Sequence, residues 1–502
     1  MIRIWVDKSS RTIRIKTDDS SIKYFLESTI EETKYVPWTK KWGTIKTHVK
    51  IYDNRRSNKP DSDGCWNFTL GLGWAGYLVN VFHNYISESD YVNVIKDAVY
   101  SDECRTIPFP ELRDYQNDDV LHLLKYRVGL FSCYTGYGKT SVIATLANYF
   151  YGLGKSVLII TPGKKANDEI VKRCDSMFGL KIPSSDLKIN NMITTGLLNR
   201  NDVKDPTELA KLELLWKNYD AVLVDEVEYT INDSGEFIYS RLTGAKWFYG
   251  FSGTADRSSG ECISFINGLS DIVLRNKDLI KYFGPSLVFR MPMDKNIDII
   301  KIKTAALSRV KFDEDDFKED TNVYNNIMNR IWKTPEVCDI IVKTVQKYPL
   351  TYIPINNLNS IIMEWISTYF VGKFRILLIC NEGYIYYDID GNKTNLKTLE
   401  KACDYVKNGM VDVIPSTSSG YRALDLPGLE NIILIQGKQA GVILQAIGRC
   451  ARGKHMNILT FEPKVSKKIP VYSKGIEERN EMIQKYYKYC NITESEIYEE
   501  NL

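Results

Sequence analysis

No apolar run in this chain approaches the ~18–20 residues a membrane-spanning helix needs. The start, Met1-Ile2-Arg3-Ile4-Trp5-Val6-Asp7-Lys8, is charged by its third residue and has no apolar stretch behind it, so it does not read as a signal peptide. The ten cysteines include no C-x-x-C pair and no close Cys/His cluster. A zinc site is therefore not expected. The thiols read as reduced, small buried hydrophobes of a cytoplasmic-type compartment. Internal repeats and low-complexity tracts are missing too, and so is any large charge excess, since the formal net charge of the 502 residues is +3. With 44% hydrophobic and 26% charged residues, the composition is that of a folded protein with several cores.

The charge is unevenly spread. Residues 1–60 hold fourteen Lys/Arg against seven Asp/Glu, a local excess that suits a polyanion. In the same region Tyr35-Val36-Pro37-Trp38-Thr39-Lys40-Lys41-Trp42-Gly43 interleaves aromatics with lysines, and Arg55-Arg56 follow. Aromatic stacking combined with basic charge is a nucleic-acid pattern, which makes Lys40, Lys41, Arg55 and Arg56 candidate contacts. The tryptophans Trp38, Trp42, Trp66 and Trp74 read more simply as the core of a small domain.

The strongest local signal is Cys133-Tyr134-Thr135-Gly136-Tyr137-Gly138-Lys139-Thr140, between the apolar run Val128-Gly129-Leu130-Phe131 and the helix-like Val142-Ile143-Ala144-Thr145-Leu146-Ala147. A strand, a glycine loop and a Lys-Thr opening a helix form a phosphate-binding context, where backbone N–H groups and the helix N-terminus face anionic oxygen. Gly136 and Gly138 let the backbone approach phosphate. Lys139 is placed for the β- and γ-phosphates and the Thr140 hydroxyl for Mg²⁺. Tyr134, Thr135, Tyr137 and Ser141 complete the expected ATP-binding segment.

Downstream, Val222-Leu223-Val224 ends in Asp225-Glu226-Val227-Glu228. Ligands of open α/β sheets bind at the carboxyl ends of strands, which places Asp225 to hold Mg²⁺ and Glu226 to orient and deprotonate water. Further on, Gln445-Ala446-Ile447-Gly448-Arg449-Cys450-Ala451-Arg452 puts two arginines three apart, on one helix face. Their guanidinium forks suit a γ-phosphate.

The chain divides by its sequence grammar. Residues 1–104 alternate apolar and polar (Ile2-Arg3-Ile4-Trp5-Val6; Thr12-Ile13-Arg14-Ile15-Lys16) and read as a small α+β nucleic-acid-binding module. Pro108 and Pro110 mark a linker. Residues 105–293 turn to a βαβα pattern with unalternating apolar strands, as in a parallel sheet buried on both faces. Residues 294–465 form a second α/β region without a glycine-rich phosphate loop, and 466–502 read as a charged helical tail.

Taken together, residues 111–455 resemble a superfamily 2 helicase or translocase, with the family's motifs in order. The resemblance implies two RecA-like parallel-sheet lobes, the first with the ATP site and the second with arginine fingers. It implies Gln116, in Leu112-Arg113-Asp114-Tyr115-Gln116, as the adenine contact. Thr161-Pro162-Gly163-Lys164-Lys165 and Thr194-Thr195-Gly196-Leu197 resemble strand-gripping motifs, giving Thr161, Lys164, Lys165 and Thr195 as phosphate contacts. Ser252-Gly253-Thr254 resembles the coupling motif, Ser416-Thr417 through Asp425-Leu426-Pro427 motif V with Asp425 toward ATP, and residues 445–452 motif VI with Gln445, Arg449 and Arg452. Three positions depart from the pattern. Cys133 stands where the family prefers Ala, Glu228 where it has His or Asp, and Ala423 where Gly is usual.

Pro37, Trp42-Gly43 and the stretch 46–53 further resemble the N-terminal module of phage UvsW-type branch-migration DNA helicases. That likeness implies an ATP- and Mg²⁺-dependent motor on branched or duplex DNA. A single strand would lie in its groove, with roles in recombination, repair and replication, in the host cytoplasm if the gene is a phage's. A monomer with no membrane partner is the working expectation. The alternatives are an RNA helicase, the translocating subunit of a restriction system and, in another class, a non-catalytic nucleic-acid-binding protein.

Overall fold

The computed structural model describes the chain except residues 1, 8–10, 37–40, 54–58, 83–98, 102–104, 163, 183–191, 197–206, 208–209, 211–215, 254–262, 266–267, 314–322, 356–358, 381, 418–425, 436–439, 451–454 and 465–471. Its contacts resolve into two units. Among the described residues, the first runs to Arg290 apart from residues 134–137, and the second takes those four and the described residues from Met291 on.

The alternating N-terminal runs form an antiparallel sheet of β1 (Ile2–Asp7), β2 (Thr12–Thr17) and β5 (Trp66–Gly71) in the order β1-β2-β5. Between them β3 (Glu27–Val36) and β4 (Lys41–Lys50) make a separate two-stranded ribbon. Alternation fixes which face is buried: Ile13 and Ile15 are fully buried while Arg14 between them is exposed.

This module shares one continuous hydrophobic core with the α/β body that follows it. Trp74 is fully buried and stacks on Phe265, with ring centroids 5.7 Å apart. Arg11 Nη1 donates to the Ala245 carbonyl at 2.5 Å, and its guanidinium lies 4.3 Å from the centre of the Phe248 ring. The closest approach is at Gly73, where a Cβ would sit 1.8 Å from the Ile280 carbonyl oxygen. Only a residue without a side chain fits there. Gly73→Ala is expected to lower the unfolding free energy by about 1–3 kcal/mol, the usual cost of overpacking, as measured by urea denaturation.

The body itself is a six-stranded, all-parallel sheet: β6 (Val128–Cys133), β7 (Val157–Thr161), β8 (Met192–Gly196), β9 (Ala221–Val224), β10 (Trp247–Ser252) and β11 (Ser286–Arg290), ordered β11-β6-β10-β9-β7-β8. Every residue of β6, β7, β9 and β10 is buried, which is why these runs lack polar alternation. Helices Lys139–Gly152 and Lys164–Phe178 supply crossovers between the parallel strands.

The second unit is built on a nine-stranded sheet, β16-β15-β14-β17-β13-β18-β19-β12-β20. Its parallel part comprises β12 (Met293–Thr304), β13 (Thr351–Pro354), β14 (Ile376–Cys380), β17 (Val413–Ser416), β18 (Asn431–Ile433), β19 (His455–Pro463) and β20 (Tyr489–Tyr498). Beyond β14, β15 (Gly383–Tyr387) and β16 (Lys393–Asn395) add antiparallel edge strands. Both α/β lobes with parallel sheets are thus present.

The tail differs from the expected helical one. Helix Tyr472–Tyr486 is there, but residues 489–498 form β20, which pairs with β12 along its length. The segment alternates polar and half-buried residues because it is an edge strand with little apolar surface to hide. Among the described residues no helix is long and apolar enough to cross a membrane, and the described cysteines form no disulfide.

Candidate nucleotide site

β6 delivers the chain to the glycine loop. The Tyr137 N–H donates to the Tyr134 carbonyl at 3.1 Å, closing a turn, and both following glycines adopt left-handed backbone, Gly136 at φ 97° and Gly138 at φ 99°. A side chain would strain either position. Gly138 caps helix Lys139–Gly152, and the Ser141 N–H donates to its carbonyl at 3.0 Å. Lys139 and Thr140 therefore open the helix, where N–H groups and the helix dipole favour an anion. Tyr134 and Tyr137 meet edge to face with centroids 5.8 Å apart, and Tyr137 is buried. Thr135, Thr140 and Ser141 are half-buried.

Gln116 lies beneath this loop. It is 3% exposed, in helix Asp114–Leu123, and a Cβ on Gly138 would come 2.5 Å from its Nε2. Its Oε1 accepts from the Arg113 N–H at 3.0 Å, so it also caps its own helix. The helix is pinned by a contact that sequence reasoning missed, Arg290 at the end of β11 gripping Asp119 with both nitrogens at 2.7–3.1 Å. Two residues 171 positions apart give no local signal of pairing.

β9 ends in the acidic pair. β10 separates β9 from β6 in the sheet, yet the Lys139 side chain bridges the gap: its Nζ lies 3.1 Å from Asp225 Oδ1 and 2.5 Å from Glu226 Oε1. Asp225 is 6% exposed, and its N–H is held by the Ile160 carbonyl of β7 at 2.8 Å. Glu226 takes left-handed backbone, φ 46° and ψ 52°, which costs of order 1 kcal/mol in a non-glycine residue and clusters at functional sites. Burial alone would lower the Lys139 pKa, but Asp225, Glu226 and Glu228 around it outweigh that and hold the ammonium charged. For Asp225, burial pushes the carboxyl up against the opposing pull of Lys139. Burial also pushes the Cys133 thiol up, so it acts as an inert apolar residue under the loop.

Ser252 ends β10, fully buried, in register with Ser132 of β6. Thr161 ends β7 and is also fully buried. The side chains of Lys41, Lys164, Lys165, Thr195, Gln445 and Arg449 lie outside the described residues, as do Lys40, Arg55, Arg56, Thr254, Asp425 and Arg452 altogether. The backbone of Gln445 and Arg449 lies in helix Ala440–Cys450. Among the described residues no cluster of His, Cys, Asp and Glu has the make-up of a self-contained metal site. One lysine facing two strand-end carboxyls, next to a helix-opening threonine, can instead receive a phosphate together with its metal.

No family model matches the chain, and no curated protein does. Solved structures do. T4 UvsW aligns over 99% of this chain and 99% of its own, at 15% identity and a TM-score of 0.36. S. cerevisiae Dbp5 bound to RNA and ADP BeF3 aligns over 77% of this chain and 90% of its own, at 13% identity and a TM-score of 0.47. LlaBIII, an ATP-dependent type ISP restriction-modification enzyme bound to DNA, aligns over 77% of this chain and 31% of its own, at 11% identity and a TM-score of 0.45. At these identities the likeness is one of fold.

Proposed function

We propose that the chain is an ATP-driven motor of the superfamily 2 helicase kind that remodels branched DNA. The observation that carries this reading is the Lys139 bridge to Asp225 and Glu226 at the carboxyl ends of two parallel strands. In this reading the glycine loop and Lys139 bind the triphosphate, and Gln116 under the loop reads adenine. Thr140 and Asp225, both hard oxygen donors, would hold Mg²⁺, which neutralises charge on the phosphates. Glu226 orients and deprotonates the attacking water. Gln445, Arg449 and Arg452 supply charge stabilisation from the second lobe, Asp425 adds a nucleotide contact, and Ser252 with Thr254 couples hydrolysis to movement. Lys40, Lys41, Arg55, Arg56, Thr161, Lys164, Lys165 and Thr195 are the DNA contacts in this reading. A monomer acting in the cytoplasm remains part of the proposal.

The panel that tests this reading measures ATP turnover with no nucleic acid, single-stranded DNA, duplex DNA, a four-way junction and RNA, side by side. Junction or duplex DNA should stimulate turnover at least about tenfold over the bare protein, of the order one activating contact supplies. Stimulation by RNA alone would replace the DNA reading with that of an RNA helicase. The absence of any turnover would leave a non-catalytic binding protein.

A further inference from the structure

One cation of the first unit is buried without a charge to match it. Arg11 precedes β2 with left-handed backbone, φ 51°, and is only 9% exposed. Its Nη1 donates to the Ala245 carbonyl, and its guanidinium lies against the Phe248 ring. A guanidinium carries about five N–H donors, so one carbonyl leaves most of them over. Among the described residues no carboxylate pairs with Arg11, and burial alone acts on its pKa, lowering it to about 10. No Arg11 nitrogen is both sealed from solvent and unbonded, so the spare donors open onto accessible space. The space that Arg11 borders is a cavity of about 630 Å³. The N-terminal module contributes Arg11 and Leu72 to its wall, and helices Asp233–Tyr239 and Lys277–Phe283 contribute Glu236, Lys281 and Tyr282. Among the described residues its lining includes none of the glycine loop or of the acidic box.

The second cation on this wall is already matched. Lys281 Nζ sits 3.6 Å from Asp53 and 3.0 Å from Glu236, and the Tyr282 hydroxyl also donates to Glu236, at 3.1 Å. Asp233 and Arg241 add one charge of each sign. A triphosphate or a nucleic-acid backbone entering here would meet the carboxylates of Asp53, Asp233 and Glu236. A single carboxylate asks only for the fork that Arg11 offers. Leu72, Phe237 and Tyr239 line the same cavity and supply apolar wall for the rest of a ligand, in a volume typical of small-molecule pockets. We propose that this cavity binds a small monocarboxylic acid with an apolar body, its carboxylate on the Arg11 guanidinium and its body against Leu72, Phe237 and Tyr239. Such a ligand touches the N-terminal module and the α/β body at once, so its binding ties the two together.

Saturation-transfer difference NMR titrations of the full chain decide this, with phenylacetate, its neutral isostere phenylacetamide and a blocked Gly-Glu-Gly peptide as probes. Phenylacetate should saturate with a Kd of about 1 mM or tighter, the scale for a ligand of its size. Phenylacetamide should bind at least about tenfold more weakly, because charge-assisted hydrogen bonds are roughly twice as strong as neutral ones. Arg11→Met keeps an apolar stem over Phe248 and removes the charge, and should weaken phenylacetate at least about tenfold. Ser240→Trp places a ring in the cavity from an exposed position on its wall and should abolish binding. No saturation by phenylacetate up to about ten times the expected Kd overturns the proposal. Equal binding of acid and amide overturns it as well, and so does undiminished binding in Arg11→Met. Should Arg11→Met fail to fold, seen as a lost thermal transition, Ser240→Trp decides alone, retained binding placing the ligand elsewhere. Binding of the glutamate peptide without binding of phenylacetate would replace the small acid with an acidic protein partner.

Discussion

Lys139→Ala is expected to lower ATP turnover by about 10³-fold, the scale on which a preorganised charge acts on a transferring phosphoryl group. The side chain meets both carboxylates, at 3.1 Å from Asp225 and 2.5 Å from Glu226, so its loss removes the charge that holds them together. The same change should cost stability. Removing one partner of a largely buried ion pair typically costs about 3 kcal/mol, and here it leaves the Asp225, Glu226 and Glu228 carboxyls facing one another. Without the ammonium, the folded-state pKa values of Asp225 and Glu228, already raised by burial, rise further above the unfolded ones. The stability deficit is therefore greatest near neutral pH and shrinks as the pH falls and the carboxyls take up protons. Thermal unfolding of wild type and variant at neutral and mildly acidic pH checks this. A deficit that grows on acidification would show that Lys139 does not neutralise this cluster. Binding of nucleic acid should change little.

Glu226→Gln is expected to reduce hydrolysis by about 10²- to 10⁴-fold while ATP binding persists, since the amide keeps the shape and loses the basic oxygen. Single-turnover hydrolysis alongside fluorescent-nucleotide binding separates the two effects. The variant also replaces one charge of the Lys139 cluster with a neutral group, but Asp225 remains within 3.1 Å of the ammonium, so folding should be preserved. Retained turnover would assign the proton transfer to another group. Weakened nucleotide binding with unchanged single-turnover hydrolysis would recast Glu226 as a binding residue.

The elements that were legible in the sequence are those whose burial is set by one stretch of chain. β6, β7 and β9 read as strands because sheets covered on both faces need unbroken apolar runs, and β13, β14, β17 and β18 were visible for the same reason. The glycine loop and acidic pair were legible because phosphate chemistry demands particular residues at particular spacings. β20 was hidden, since an edge strand with polar alternation looks like charged tail. The Arg290 grip on Asp119 depends on which distant elements lie side by side, and no local pattern records that.

The seam at Gly73 and Trp74 bears on how the gene can be dissected. Lobe one cannot be trimmed to a free-standing ATPase by starting the chain near residue 105. Such a truncation would uncover Phe265 and Ile280, which Trp74, Tyr77 and Gly73 now cover, and an exposed apolar scar of that kind drives self-association. A soluble fragment should therefore begin at the first strand, and a comparison of activity with and without the module should rely on point changes to its surface.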